Sequence, residues 1–203
     1  MTPVERKNSM LTAMPRWCRA QMFPLMLILL TLFLGMLEPA ASQWLRYDRD
    51  AVLSGQLWRL ITGNFVHFGW PHLLMNLAGL LLIWAIFTRV MTNLRWSVVT
   101  LTGALGVGIG LLGFNQAIQW YVGLSGVLHA ILVAGIILAL NAGERIQWLL
   151  LCLVAIKLLW EQTVGPLPGS ASVAEGPVLV DAHLYGAIAG AIVGFLLVLP
   201  YRR

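Results

Sequence analysis

The chain alternates between apolar segments and short polar connections. Six apolar segments run at about 21–38, 71–88, 96–114, 124–140, 146–161 and 179–199. Several have only 16–18 residues, at the short end of the range of about 17–25 that a spanning helix needs. Short helices still cross where the bilayer thins or flanking residues snorkel. The pattern predicts an all-α membrane protein built as a six-transmembrane-helix bundle.

The composition supports a membrane protein. Of the 203 residues, 59% are hydrophobic and 10% are charged, whereas soluble domains carry about 25% charged residues. We expect two regions, a basic cytoplasmic N-terminal tail at 1–20 and a six-helix membrane domain at 21–203. The net charge of +5 does not indicate a nucleic-acid partner, because the basic residues flank the apolar segments. The expected partner is the lipid bilayer.

The distribution of basic residues predicts the orientation. Cytoplasmic loops of membrane proteins are enriched in Lys and Arg. If both termini are cytoplasmic, nine basic residues lie inside and three lie outside. The inner set is Arg6, Lys7, Arg16, Arg19, Arg89, Arg95, Arg145, Arg202 and Arg203, and the outer set is Arg46, Arg49 and Arg59. We therefore expect both termini in the cytoplasm.

One alternative concerns the first apolar segment. A basic flank, an apolar core and the sequence EPAASQ at 38–43 also fit a secretory signal peptide with a small-residue cleavage site. Its removal would leave five spanning helices. Whether the first segment is retained stays open at this point.

Polar side chains lie at the start of three apolar segments. His72 and Asn76 are four residues apart in the second, as are Ser125 and His129 in the fourth, and His183 lies within the first few residues of the sixth. A spacing of four places each pair on one helical face. Because these three segments run from outside to inside in the predicted topology, the polar groups should form one layer near the outer surface. Polar groups in a bilayer are costly and mark functional sites.

The residue types in this layer suit acyl transfer. A serine hydroxyl becomes a nucleophile when a neighbouring base takes its proton, and neutral histidine is the usual base. Backbone N–H groups, Asn and His can stabilise the oxyanion of the tetrahedral intermediate. Gly123 and Gly126, on either side of the Leu124-Ser125 pair, would let other backbone approach closely.

Four motifs resemble those of the rhomboid intramembrane serine proteases. GLSG at 123–126 is similar to the family's GxSG, and HFGWPHLLMN at 67–76 to its HxxxxHxxxN. AHLYGAIAG at 182–190 is similar to AHxxGxxxG, and Leu57-Trp58-Arg59 to the Trp-Arg motif. The resemblance covers about 45–200 and implies a six-helix rhomboid-like bundle.

The resemblance also implies roles for individual residues. Ser125 would be the nucleophile and His183 the general base, a dyad with no carboxylate. His72 and Asn76, with the backbone N–H of Ser125, would stabilise the oxyanion. Gly186 would allow close contact between segments four and six. His129 departs from the commoner pattern, in which a tyrosine stacks on the catalytic histidine.

Further sequence features resemble one branch of this family, the rhombosortases. These are GVLHA after the serine, KLLWEQ in segment five and AHLYGA in segment six. The branch implies a bacterial inner-membrane protease with its active site facing the periplasm. Its implied substrates are exported proteins with a C-terminal Gly-Gly motif, an apolar helix and a basic tail. Water or an amine would resolve the acyl-enzyme, and the sequence offers no recognisable amine site.

Two charged residues in segment five have a second interpretation. Lys157 and Glu161 are one helical turn apart and can pair. They would either help to position substrate beside Ser125, or be a snorkelling lysine and an interfacial glutamate. Trp58 and Arg59 are expected to anchor the first outer loop in the headgroup region. The fifth connection, rich in Gly, Pro and Ser, is expected to be a mobile lid.

Two other functions compete with a protease. His72 and His183 could be axial ligands of a haem, but Ser125 and Asn76 would then have no role. A small transporter would need a polar path and an internal repeat, whereas the polar groups share one depth. We expect no metal and no cofactor, because the histidines are assigned and no carboxylate or thiolate completes a metal set.

Overall fold

We describe the protein from a computed structural model, which covers residues 21–174 and 176–199. The predicted tail at 1–20 lies outside the described residues. In chain order, the α-helices are α1 (Met22–Met36), α2 (Ala40–Leu45), α3 (Arg49–Leu53), α4 (Arg59–Thr62), α5 (Trp70–Phe87), α6 (Asn93–Phe114), α7 (Ser125–Asn141), α8 (Gln147–Thr163), α9 (Ser170–Val173) and α10 (Val180–Val198). A short 3-10 helix covers Gly63–Phe65, and two short strands, β1 (Tyr47–Asp48) and β2 (Trp120–Tyr121), pair with each other.

The six longest of these described helices coincide with the six apolar segments. Within the described part of the chain, α5, α6 and α10 are long and apolar enough to cross a membrane. α1 and α7 are also apolar but have 15 and 17 residues. The prediction of a mostly helical protein that contains helices able to span a membrane is therefore confirmed. The count of six spans and the cytoplasmic position of both termini stay predictions.

Local sequence explains where these helices begin. Pro71 occupies the first turn of α5, where its missing N–H has no intrahelical acceptor in any case. The hydroxyl of Thr92 accepts a hydrogen bond from the backbone N–H of Arg95 at 3.3 Å and caps α6. Asp48 caps α3 by accepting from the N–H of Ala51 at 3.1 Å. Such side-chain caps satisfy donors that a helix leaves unpaired at its start.

The helix α7 lies at the centre of the bundle. Twelve of its 17 residues are buried, and it contacts α5, α6, α8 and α10. A helix that is apolar on every side is typical of a buried position. Ser125 therefore lies at the start of a helix that four other helices surround.

Glycines allow α7 and α10 to pack unusually closely. A Cβ at Gly126 would lie 2.7 Å from the carbonyl oxygen of Ala182. A Cβ at Gly186 would overlap the carbonyl oxygen of Gly126, and one at Gly190 would overlap that of Ala130. Small residues permit this backbone contact between membrane helices. The structure places Gly186 at this contact, and its predicted role in bringing the two segments together stays a prediction.

The loop between α1 and α5, predicted to be the first outer loop, is tied to the segment that precedes Ser125. Tyr47 pairs with Tyr121 and Asp48 with Trp120 in the antiparallel β1–β2 ribbon. The N–H of Arg49 adds a hydrogen bond to the carbonyl oxygen of Gln119 at 2.8 Å. Backbone hydrogen bonds therefore join two stretches of chain that are about 70 residues apart in the sequence.

The prediction that Arg59 anchors this loop in the headgroup region is wrong. Arg59 is only 6% exposed. Its guanidinium donates to Oε1 of Gln56 at 2.8 Å and to the carbonyl oxygens of Arg46 and Gln43 at 2.9 and 3.1 Å. A guanidinium carries five N–H donors, so one side chain satisfies several carbonyl groups of the irregular loop. Trp58 is 48% exposed, and its anchoring role stays a prediction.

The fifth connection contains the short helix α9 and packs back on the bundle. A Cβ at Gly176 would lie 2.9 Å from the ring of Phe68, and Ala174 is buried. The connection therefore lies over Phe68, just before α5. Its predicted mobility as a lid stays a prediction.

The glycine contacts between α7 and α10 predict a specific loss of stability. We expect Gly190→Ala to lower the free energy of unfolding by about 1–3 kcal/mol, because the new methyl group meets the backbone of Ala130. The matched control is Gly113→Ala near the end of α6, where a Cβ meets nothing within 4 Å. This change should leave stability unchanged or raise it slightly. Unfolding of both variants in the same detergent provides the measurement, and equal stabilities would contradict the packing argument.

Candidate active site

The start of α7 presents Ser125 at a sharp change of backbone direction. Gly123 has a φ of +129°, a conformation that glycine adopts at little cost. Its N–H donates to the carbonyl oxygen of Gly63 at 3.2 Å, and its own carbonyl oxygen accepts from the hydroxyl of Tyr121 at 2.6 Å. The first N–H groups of a helix have no intrahelical acceptor, and the helix dipole favours negative charge there. The backbone at Ser125 is therefore suited to stabilise an anion.

Ser125 and His183 form a hydrogen-bonded pair between two helices. Oγ of Ser125, on α7, lies 2.9 Å from Nε2 of His183, on α10. His183 is 5% exposed, and the close contact at Gly126 and Gly186 brings the two helices to this distance. A hydroxyl next to an imidazole nitrogen is the arrangement of a nucleophile with its general base.

A carboxylate lies on the other side of His183. Nδ1 of His183 is 2.9 Å from Oε2 of Glu161, which is 3% exposed. The same oxygen is 2.7 Å from Nζ of Lys157, one turn earlier on α8. The resemblance implied a dyad with no carboxylate, and the sequence hypothesis placed Glu161 beside the substrate. The structure differs from both, because the carboxylate of Glu161 lies within hydrogen-bond distance of His183.

His129 stacks on His183 and is bonded at both ring nitrogens. The two rings have centroids 4.3 Å apart and planes inclined by 17°. Nδ1 of His129 is 2.7 Å from the carbonyl oxygen of Ser125, and its Nε2 is 3.0 Å from Nζ of Lys157. The imidazole therefore occupies the stacking position that the resemblance implies for a tyrosine.

These side chains also contain a set of metal-binding atoms. One ligand atom from each of His129, Glu161 and His183 lies within 4.8 Å of the others. The argument that no carboxylate completes a metal set is therefore wrong, because the fold brings Glu161 to the two histidines. Nζ of Lys157 lies 3.0 Å from Nε2 of His129 and 2.7 Å from Oε2 of Glu161. The ammonium group therefore already provides a positive charge next to these ligand atoms. A metal ion would have to displace it.

His72 and Asn76 lie on the first turns of α5 and are both buried. Nδ2 of Asn76 donates to the carbonyl oxygen of His72 at 3.1 Å. The ring of His72 lies against Gly123, where a Cβ would come within 2.8 Å of Cε1. Its Nδ1 makes no hydrogen bond within residues 21–174 and 176–199. The imidazole is therefore adjacent to the backbone turn before Ser125, and its Nδ1 is buried without a partner among the described residues.

Sequence reasoning missed two aromatic neighbours of this layer. His67 contacts the ring of His72 edge-on, with centroids 5.0 Å apart, and burial together with His72 lowers the pKa of His67 to about 3. Burial raises the pKa of the Tyr121 phenol, so it stays protonated and donates to Gly123. Tyr121 stands four residues before Ser125 in the printed sequence, but its hydrogen bond depends on the turn at Gly123.

A cavity of about 370 Å³ opens beside the segment that leads to Ser125. Residues of three separate segments line it, including Phe68, Trp120, Tyr121, Pro177 and Leu179. Phe68 also stacks on His72, with centroids 5.6 Å apart. The cavity therefore lies between the fifth connection and the polar layer, and its lining is mostly apolar.

Comparison with known proteins identifies a match to the Rhomboid domain over residues 54–200. The chain is 28% identical over 160 residues to the rhomboid protease GlpG of Salmonella paratyphi A. The aligned region covers 79% of this chain and 55% of that protein. The chain is 32% identical over 89 residues to GlpG of Salmonella choleraesuis. Here the aligned region covers 44% of this chain and 32% of that protein. The chain thus spans about half the length of these relatives, or less.

The contact between Gly123 and His72 predicts the effect of a single methyl group. We expect Gly123→Ala to lower thermal stability and to slow the modification of Ser125 by a fluorophosphonate, because the Cβ both strains the backbone and displaces the His72 ring. Gly143 shares the positive φ, at +91°, but a Cβ there meets nothing within 4 Å. Gly143→Ala is therefore the control for backbone strain alone, about 1–2 kcal/mol. Equal modification rates in the two variants would contradict a role for this contact.

Proposed function

This chain belongs to the rhomboid family, and on that premise we propose that it is an intramembrane serine endopeptidase. The observation that carries the proposal is the 2.9 Å hydrogen bond between Ser125 and His183. The pair lies at the start of the central helix α7, where backbone donors are free for an oxyanion. Its relatives GlpG are named rhomboid proteases, which supports peptide hydrolysis as the chemistry.

The first half of the reaction forms an ester on Ser125. Nε2 of His183 takes the hydroxyl proton as Oγ attacks the carbonyl carbon of the scissile peptide bond. The tetrahedral intermediate then collapses, and the C–N bond breaks. His183 gives its proton to the leaving amine. This releases the C-terminal part of the substrate.

The second half of the reaction releases the other product. A water molecule gives a proton to His183 as its oxygen attacks the ester carbonyl carbon. Collapse of this second tetrahedral intermediate returns the proton to Oγ of Ser125. The products are a carboxylic acid and an unchanged enzyme. We propose water as the acyl acceptor; transfer to an amine is the alternative.

His72 and Asn76 supply further donors for the oxyanion. A carboxamide nitrogen has two hydrogens, so Asn76 can donate one to His72 and keep the other for the substrate. The ring of His72 lies against the turn at Gly123, two residues before the nucleophile. Together with the N–H of Ser125, these groups would surround one face of the tetrahedral carbon.

We propose that the substrates are single-span membrane proteins that are cut near the outer boundary of the bilayer. In this proposal the chain is a multi-pass protein of a bacterial inner membrane, and its site faces the periplasm. The similarity to rhombosortases refines the substrate to exported proteins with a C-terminal Gly-Gly, an apolar helix and a basic tail. We place an apolar segment of the substrate in the cavity that Tyr121 lines, four residues before Ser125 in the sequence.

The nucleophile and its base are tested by cleavage in cells. We expect a reporter that carries a Gly-Gly, apolar helix and basic tail to be cut by the wild type and not by Ser125→Ala or His183→Ala. The matched control is Ser97→Ala, far from the site on α6, which should cut normally. All four proteins must reach the membrane at equal levels.

The outcomes separate the protease from its substrate class. Cleavage that survives Ser125→Ala would contradict the catalytic assignment. If the wild type spares this reporter but cuts a single-span substrate without the Gly-Gly tail, the substrate class is wrong and the protease stands. If the wild type cuts neither, the proposed function fails.

If His72 and Asn76 donate to the oxyanion, removing either side chain should lower turnover more than it lowers stability. We expect Asn76→Ala and His72→Ala each to lower kcat by roughly 10²–10³-fold, the usual effect of removing such a donor, with a smaller change in KM. The control is Asn64→Ala, because Asn64 is also buried but donates to the carbonyl oxygens of Ile61 and Ala104. This change should reduce stability and leave kcat of the folded protein intact. An unchanged kcat in Asn76→Ala would remove Asn76 from the site.

A further inference from the structure

We propose that Lys157 and Glu161 are positioning residues that fix which nitrogen of each stacked histidine carries its proton. As a result, His183 would present a bare Nε2 to Ser125. The inference rests on the proposed function, because it concerns the base of that reaction. It replaces the two sequence interpretations of this pair, substrate positioning and interfacial snorkelling.

The contact with Glu161 determines which ring nitrogen of His183 carries the proton. An ionised carboxylate only accepts hydrogen bonds. At 2.9 Å from Oε2 of Glu161, Nδ1 of His183 must therefore be the donor. A neutral imidazole carries one proton, so its Nε2 is bare and accepts the hydroxyl proton of Ser125 over 2.9 Å. This is the tautomer that a general base needs.

The contact with Lys157 determines the state of His129 in the same way. An ammonium group only donates, so Nε2 of His129, at 3.0 Å, must be bare. The proton of His129 is then on Nδ1, which donates to the carbonyl oxygen of Ser125 at 2.7 Å. The five contacts of 2.7–3.0 Å in the network now each have one donor and one acceptor. Nζ of Lys157 also lies 3.5 Å from Nδ1 of His183, where both groups carry hydrogens, and this longer contact is left without a hydrogen bond.

The stacking of His129 on His183 restricts the orientation of the catalytic base. The ring of His129 is held at both nitrogens, and its centroid lies 4.3 Å from that of the His183 ring, with the two planes inclined by 17°. Rotation of the His183 ring would therefore break the bond to Glu161 and meet a ring that cannot move aside. Ser125 and His129 face His183 from α7, and Lys157 and Glu161 face it from α8.

The opposite charges make this arrangement tolerable in an apolar bundle. Glu161 has a side chain only 2% exposed, and Nζ of Lys157 lies 2.7 Å from its carboxylate. A buried charge without a partner is costly, whereas a paired and hydrogen-bonded one is accommodated. The pair is formed within one helix at i,i+4. Lys157 thus allows a carboxylate to remain ionised behind the catalytic histidine.

The decisive variant is Glu161→Gln, which keeps the shape and removes the charge. The amide group can turn its NH₂ towards Nδ1 of His183 and favour the wrong tautomer, and it cannot stabilise the imidazolium that forms during proton transfer. In serine protease triads, losing this carboxylate costs on the order of 10⁴-fold in kcat. We expect a fall in kcat of roughly 10²–10⁴-fold, with KM within about threefold of the wild type. Glu161→Asp should restore part of the rate.

The control is Glu144→Gln, which removes a glutamate in the connection that leads into α8. Glu144 bonds to the side chain of Gln147, and its loss should leave kcat and KM unchanged. Lys157→Met should lower kcat by about tenfold, as expected when a buried hydrogen bond is broken, and Lys157→Arg should restore part of the rate. A purely structural pair would instead lower the melting temperature in proportion to the loss of activity.

A spectroscopic measurement tests the tautomers directly. We would record the nitrogen NMR spectrum of the protein with ¹⁵N-labelled histidine, in wild type and Glu161→Gln. We expect a protonated Nδ1 on both His129 and His183 in the wild type and a changed His183 signal in the variant. Full activity of Glu161→Gln, or a wild-type His183 protonated at Nε2, would overturn the inference while Ser125 and His183 stand. If the wild type cleaves no substrate, the proposed function fails, but the spectrum still decides the tautomers.

Discussion

The backbone contact between α7 and α10 determines the geometry of the whole site. Gly126 and Gly186 meet where a methyl group on Gly186 would overlap the opposite carbonyl oxygen. Ser125 is next to the first glycine in sequence, and His183 is one turn before the second. The 2.9 Å distance between their side chains therefore depends on the close approach of the two helices. The glycines make this approach possible because they have no Cβ atom at the contact.

Around this contact, an apolar bundle encloses a polar cluster that charges and hydrogen bonds hold together. Glu161 receives bonds from Lys157 and His183, and His129 links Lys157 to the backbone of Ser125. In a low-dielectric interior such bonds are strong, and an unmatched group is costly. The network can therefore be rigid without tight apolar packing of every member.

The sequence predicted much of this molecule, for identifiable reasons. Periodic apolar segments locate the six long helices, and four motifs identify the rhomboid family, which the match over residues 54–200 confirms. The approach of Glu161 to His183 could not be predicted, because it depends on how far α8 is rotated and at what depth it packs. The burial of Arg59 was missed because an arginine in an outer loop usually faces the headgroups, and only the folded loop presents the carbonyl groups that bind it.

The charged pair on α8 also has a consequence for biogenesis. Among the described helices, α5, α6 and α10 are apolar and long enough to span a bilayer by themselves, and α8 does not meet those criteria. A charge at a helix centre adds roughly 2.5–3.5 kcal/mol to insertion by the translocon. Because Lys157 and Glu161 are one turn apart, they can neutralise each other in the nascent helix before any neighbour is present. The entry of α8, the helix that supports His183, into the lipid thus depends on an internal ion pair and on the helices already inserted.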